Sequence, residues 1–215
     1  MQPVQITMEE AADPVIYVVD DDEDLRDSLL DLFLLTKQRA VGFSSGSEFL
    51  QQADTSAPGC VVVDIRMPGV TGLDLQKQLT SIGSRLPVIF LTAHADVPTS
   101  VRAMKAGATD FITKPFASHD LLQAVNHAIR VDTARRKVDG ERDHIRSLAG
   151  SLTPREREVM LAVVRGLMNK QIAYELGISE MTVKIHRMSV MRKMQTKSLA
   201  DLVRKAEQLS RDTSA

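Results

Sequence analysis

No stretch of this 215-residue chain stays apolar for the roughly 20 residues that a membrane-spanning helix needs, so insertion into a bilayer is not expected and no membrane partner is implied. The opening residues, MQPVQITMEEAAD, lack the basic-then-apolar order of an export signal, and the chain reads as cytoplasmic. Cysteine is reduced to Cys60, which excludes an internal disulfide. Its apolar neighbours Val61 to Val63 suggest a buried thiol packing as a small hydrophobe, with a reactive thiol as the alternative. Net charge is nearly absent as well, at −1 from 27 Lys+Arg and 28 Asp+Glu, yet it is unevenly spread. Residues 1–130 carry 10 basic and 17 acidic side chains (−7) and residues 131–215 carry 17 and 11 (+6), which together give −1. An acidic front and a basic back imply two domains with different partners, nucleic acid being the first candidate for the second. What is present in quantity is apolar residue content, 43% of the chain, enough for real cores.

Within residues 13–130, short apolar runs alternate with segments of helical period. Residues 15–19, 60–63 and 88–91 are rich in β-branched side chains and bounded by Asp, Pro or Gly, as buried parallel strands are; residues 41–43 and 109–112 are weaker strand candidates. Helical segments occupy 24–37, 47–52, 72–80, 98–106 and 118–131. Five βα units imply an α/β domain with helices on both faces of a parallel sheet, and in such sheets ligands sit beyond the C-terminal strand ends.

Residues 131–150 form a charged linker in which Val131, Val138 and Ile145 recur by sevens, either as a short helical seam or as a solvated helix. From 151 to 210 the pattern is wholly helical. Thr153 and Pro154 open a helix that Gly166 ends, Asn169 caps a second that Gly177 breaks, Ser179 caps a third to about Met194 and Ser198 a fourth to about Leu209. Two short helices joined by a Gly-containing turn describe a helix-turn-helix.

The stretch VIYVVDDDED, residues 15–24, crowds five acids at a strand end, where like charges repel. Acids in a first helical turn suit the helix dipole, which accounts for Asp22, Glu23 and Asp24. It does not account for Asp20 and Asp21 at the strand's edge, nor for Asp64 at the end of 60–63. Converging carboxylates are tolerable around a hard divalent cation, and an oxygen-only donor set favours Mg²⁺ over zinc.

VVDDDEDLR, VVVDIRMPGVTGLDL, IFLTAH, AMKAGATDF and TKPF, in this order and spacing, resemble the receiver domain of two-component response regulators over roughly residues 13–130. The resemblance implies a flavodoxin-like (βα)5 fold in which Asp64 accepts a phosphoryl group from a sensor histidine kinase. It implies Mg²⁺ bound by Asp20, Asp21, Asp64 and the backbone carbonyl of Arg66. Thr92 and Lys114 would bind the phosphoryl oxygens, Pro115 permitting a cis peptide that aims the lysine inward. A carboxylate attacking phosphorus must overcome repulsion between anions, so such cations are chemically required. Phe111 would turn inward as Thr92 moves; a static core Phe is the alternative. Arg66 and His94, two residues beyond Asp64 and Thr92, are expected to tune dephosphorylation by blocking or orienting water, or else are plain surface residues.

The segment LTPREREVMLAVVRGLMNKQIAYELGISEMTVKIHRMSVMRKM resembles the LuxR-type four-helix DNA-binding domain, which with the receiver places the chain in the FixJ/NarL class. At 100° per residue Val183, His186, Val190 and Met194 share an inward stripe, leaving Lys184, Ile185, Met188 and Arg192 outward. Lys184 can donate to guanine and Ile185 or Met188 can touch thymine methyls, Arg187 lying at the boundary. Asn169, Lys170, Thr182, Arg192 and Lys193 are expected to bind phosphates.

These features together describe a transcription regulator controlled by phosphorylation, with promoter DNA, a homodimer formed on phosphorylation and RNA polymerase as partners. Activation by dimerisation and activation by release of a masked DNA-binding domain both remain open. The rivals are a Mg²⁺-dependent aspartyl phosphohydrolase, whose D-x-D motif is absent because Arg66 stands two residues after Asp64, and a DNA binder indifferent to phosphorylation.

Overall fold

The computed structural model describes residues 13–93 and 97–212, so His94 lies outside the described residues. The chain divides into two compact units, residues 1–136 and 137–215. The first is built on a five-stranded parallel sheet of order β2-β1-β3-β4-β5. Its strands are β1 (Val15–Val19), β2 (Arg39–Phe43), β3 (Gly59–Asp64), β4 (Val88–Thr92) and β5 (Asp110–Thr113). The intervening helices are α1 (Glu23–Leu35), α2 (Gly46–Gln52), α3 (Gly72–Ser81) and α4 (Val97–Lys105), and α5 (Ser118–Gly150) follows β5. Every residue of β1, β3 and β4 is buried, which is why these strands read as continuous apolar runs. Successive side chains point to opposite faces: Tyr17 and Val19 join Phe43, Phe49, Leu75 and Phe90 in one core, while Ile16 and Val18 join Leu29, Phe33, Leu121 and Val125 in the other.

β3 begins one residue earlier than the apolar run suggests. Gly59 has φ +151°, and a Cβ there would lie 1.9 Å from the Val15 carbonyl oxygen, so only glycine lets β1 and β3 approach. α5 continues without a break through the charged linker 131–150, which is helical to Gly150. Asp132, fully buried, is bonded by Arg135, Arg136 and the Gly59 N–H, which draws these linker residues into the first unit.

In the second unit α6 (Pro154–Val164), α7 (Asn169–Leu176), α8 (Glu180–Lys193) and α9 (Leu199–Asp212) surround a core of Val159, Val163, Ile172, Val183, Val190, Met194 and Leu202, with Ile145 and Ala149 added from α5. Thr153 caps α6 in a capping box with Glu156, and Ser179 caps α8. Gly177, at φ +64°, supplies the left-handed turn between α7 and α8. The expected Asn169 cap is corrected: Asn169 is the first residue of α7, Gln171 accepts from the Met168 N–H instead, and the Asn169 amide is engaged by Arg187.

Candidate functional site

Parallel pairing sets Val19 beside Val63, so the residues that follow, Asp20 and Asp64, leave β1 and β3 side by side at the C-terminal edge of the sheet. β4 ends there in buried Thr92, which pairs with Thr113 of β5. The next N–H, from Lys114, donates to the Thr92 carbonyl at 2.6 Å, and the Lys114–Pro115 peptide is cis. Four strands thus deliver two carboxylates, a hydroxyl and an ammonium to one place.

The Lys114 ammonium lies 2.7 Å from Asp64 Oδ1 and 2.8 Å from Asp20 Oδ2. The other Asp64 oxygen accepts the Arg66 N–H at 2.6 Å, and the other Asp20 oxygen accepts the Asp22 N–H at 3.0 Å. Arg26 donates to the Asp20 carbonyl at 2.9 Å. Both carboxylates are nearly dry, Asp20 at 1% exposure and Asp64 at 7%. Burial pushes the Asp20 carboxyl above its ordinary range, although the bonds from Lys114 and the Asp22 N–H pull the other way. For Lys114 burial opposes the charge, and the bonds to Asp20 and Asp64 outweigh it, so its ammonium is held above the usual value. Asp22 caps α1 by accepting the Leu25 N–H, with Glu23 and Asp24 in the first turn, as the dipole argument requires.

Asp21 does not join this cluster. It is exposed, and among the described residues no three acidic, His or Cys side chains close into a set able to hold a metal ion. The donor chemistry nonetheless fits a hard cation, since the acceptor groups brought together here, the Asp20 and Asp64 carboxylates, are oxygen donors. Phe111, opposite Phe90 in register, is half-buried and packs against the core.

On α8, Val183 and Val190 are buried, as is Met194 just past its end, while Lys184, Ile185, Met188 and Arg192 are exposed, with Met188 at 73%. Lys170 is also exposed, near the start of α7. Four other expected DNA contacts are engaged within the protein. Arg187, half-buried, donates to Asn169 Oδ1 at 2.8 Å and ties α8 to the start of α7. Lys193 lies 2.6 Å from Glu156 Oε2 and also donates to the Ser151 carbonyl, so it closes the start of α6 rather than standing open to phosphate. The Thr182 hydroxyl is 2.9 Å from that of Ser179 and belongs to the α8 cap. Sequence reasoning missed the Asp132 cluster, although acid-then-arginine spacings of three and four were its signal. It also missed Tyr174, which stands 92% exposed on α7.

A model described as the response regulator receiver domain matches residues 16–126, and one described as bacterial regulatory proteins of the luxR family matches residues 150–206. The chain belongs to the response regulator family. Among curated relatives of this response regulator, Nodulation protein W of Bradyrhizobium diazoefficiens is 46% identical over 91% of the chain and 86% of the relative. Response regulator protein TodT of Pseudomonas putida is 44% identical over the same shares. Among solved structures, the response regulator StyR superposes with a TM-score of 0.87 at 45% identity, covering 92% of this chain and all of that one. The response regulator is therefore a receiver joined to a LuxR-type DNA-binding domain and acts in transcription regulation, for which phosphorylation is the family's general control. Receiver domains generally bind Mg²⁺ at their acidic site. Among the described residues no helix is long and apolar enough to cross a membrane.

Proposed function

We propose that Asp64 is the phosphoryl acceptor through which a sensor histidine kinase controls the binding of α8 to promoter DNA. The observation that carries this reading is the Lys114 ammonium, 2.7 Å from Asp64 and 2.8 Å from Asp20, at the convergence of four strand ends. In the transfer an Asp64 oxygen forms the new bond to phosphorus as the bond to the donor's imidazole nitrogen breaks, and Lys114 takes up charge on the phosphoryl oxygens. Mg²⁺, held by Asp20, Asp21, Asp64 and the Arg66 carbonyl, supplies further neutralisation of those oxygens when bound. Asp64 is phosphorylated and dephosphorylated on the same chain, so the protein is a self-modifying switch rather than a turnover enzyme.

The Thr92 hydroxyl follows the phosphoryl group and Phe111 follows Thr92, remodelling the surface of α4, β5 and the first turns of α5. That surface either pairs two chains, giving two recognition helices for two half-sites, or releases the DNA-binding domain. Arg66 and His94 tune the lifetime of the modified state, and RNA polymerase is the partner after promoter binding in the cytoplasm. Lys184, Ile185 and Met188 read bases, while Lys170 and Arg192 hold phosphates. Asn169, Arg187, Thr182 and Lys193 position these elements from within.

Incubation with acetyl phosphate and Mg²⁺ tests the assignment. Wild-type protein should gain one acid-stable, base-labile phosphoryl group and bind its promoter more tightly, whereas Asp64→Asn should gain none. Labelling of Asp64→Asn equal to wild type, or sustained turnover of small phosphoesters, would overturn it.

A further inference from the structure

Cys60 is the chain's lone thiol, and it is poorly placed to meet an oxidant. It is fully buried, and burial pushes its pKa up to about 12, so the reactive thiolate does not form near neutral pH. Oxidants that take two electrons from sulfur are left with the thioethers, and exposure sorts these into two groups. Met67, Met160 and Met194 are buried, and the sulfur of half-buried Met191 lies 3.3 Å from the Thr196 hydroxyl. Among the described residues Met104, Met168, Met181 and Met188 are the exposed methionines, and the last two both stand on α8.

Met181 and Met188 are 66% and 73% exposed. A spacing of seven residues sets them two helical turns, about 10 Å, apart and within about 20° of one direction around the α8 axis. That direction is the middle of the outward face, opposite buried Val183 and Val190, and Lys184 and Ile185 stand between the two along the helix. A thioether is apolar and adaptable, and it suits the thymine methyl groups of the major groove. Its sulfoxide is polar and brings an oxygen that only accepts hydrogen bonds. The groove offers that oxygen few donors: N7, O6 and O4 are acceptors, and only the amino groups of adenine and cytosine donate. The phosphates accept as well. A sulfoxide enclosed there is left largely unpaired as water is excluded, which weakens binding about ten-fold.

We propose that Met181 and Met188 are an oxidation site through which a peroxide lowers the affinity of α8 for DNA. A sulfur lone pair attacks one peroxide oxygen, and the S–O bond forms as the O–O bond breaks. The thioether gives up two electrons, the proton of the transferred hydroxyl passes to the other oxygen, and that oxygen leaves as water. Two thiols reverse the step, joining in a disulfide while the sulfoxide oxygen departs as water, a reaction that a separate reductase performs on each sulfoxide epimer. The inference rests on the reading of α8 as the recognition helix and needs nothing from Asp64.

Hydrogen peroxide treatment of the full chain tests it, with oxidised positions located by peptide mass spectrometry and affinity titrated on a duplex that the untreated protein selects from random DNA. Wild type should take up oxygen at Met181 and Met188 before Met160 and Met194 and should keep its helical circular dichroism. It should then bind the duplex about ten-fold more weakly and recover when both reductases and a dithiol are added. The double variant Met181→Leu, Met188→Leu, measured against its own untreated affinity, should keep that affinity after the same treatment although Met104 and Met168 are oxidised. Oxidised Met181 and Met188 with unchanged affinity, an equal loss in the double variant, or a loss that follows loss of helix would each overturn the site. Lys184→Ala in untreated protein separates this from the reading beneath it. If that variant binds the duplex as tightly as wild type, α8 is not the recognition helix and the proposed function fails; if it binds weakly while oxidation changes nothing, the oxidation site alone fails.

Discussion

Replacing Lys114 by Met keeps most of the side chain's apolar bulk and removes its charge. In the native protein one ammonium answers two carboxylates that are 1% and 7% exposed, through bonds of 2.8 and 2.7 Å. Removing one partner of a buried pair costs about 3–5 kcal/mol, because the remaining charge stays buried and unpaired. The Lys114 side chain is itself 21% exposed, so water can repair part of the loss and the low end, about 3 kcal/mol, is expected. For a unit of this size that corresponds to a midpoint lower by roughly 10 °C. Two further signatures separate this account from simple loss of packing. Asp20 already has a raised carboxyl pKa, and a carboxyl raised in the folded state binds more protons folded than unfolded. Stability contributed by such a proton grows as pH falls and is lost as pH rises, so the Met variant should be penalised less near pH 5 than near pH 8. Mg²⁺ should stabilise the variant more than wild type, since it no longer competes with the ammonium for the same oxygens. Urea unfolding of the two proteins at both pH values, with and without Mg²⁺, reads all of these effects. A variant as stable as wild type without Mg²⁺, or equal stabilisation of both proteins by the ion, would refute the reasoning.

Glu156 is held well below the usual carboxylate range, at about 2, by Lys193 and then by the Thr153 N–H. Its contribution is fully present above its ordinary value of 4.5 and is lost as pH falls toward 2, so thermal scans of the second unit should show acid weakening that Glu156→Gln flattens. Arg187→Met keeps the stem beside Val159, Val163 and Leu202 but removes the bond to Asn169. It should weaken promoter binding by about five-fold, the equivalent of one hydrogen bond, and by the same factor on mismatched sites; relaxation at a single base pair in binding titrations would show instead that Arg187 reads that base.

The buried strands were legible because a sheet covered on both faces must be apolar at every position, and residues 15–19 and 88–91 carry little else. Asp20, Asp64 and Thr92 were legible because each directly follows or ends such a run, and parallel pairing brings those ends together; Lys114, after the half-buried β5, was legible only through the resemblance of TKPF to the receiver pattern. The linker was not. Asp132 in VDTARRK looks like one more charge on a solvated helix, and only its burial against the Gly59 N–H shows otherwise. The internal partners of the expected phosphate contacts were not legible for a related reason. A basic side chain on a recognition helix has the same sequence whether it faces solvent, as Arg192 does, or an acid one helix away, as Lys193 does. Helical period fixes a residue's angle about its own axis but not what stands beside it.

β3 ties the two ends of the first unit together: Asp64 closes it at one edge, and Gly59, bonded to Asp132, opens it at the other. It does not follow that β3 transmits the signal. All six of its residues are buried and both its edges are paired, with β1 on one side and β4 on the other, so it has no second arrangement to adopt. Motion belongs where burial is incomplete. Three residues of β5 are half-buried and its last is exposed, and it pairs only with β4. α4, beside it, leaves Val101 and Met104 44% and 50% exposed. A phosphoryl group on Asp64 therefore acts on a frame that is rigid along β1 and β3 and yielding along β5 and α4.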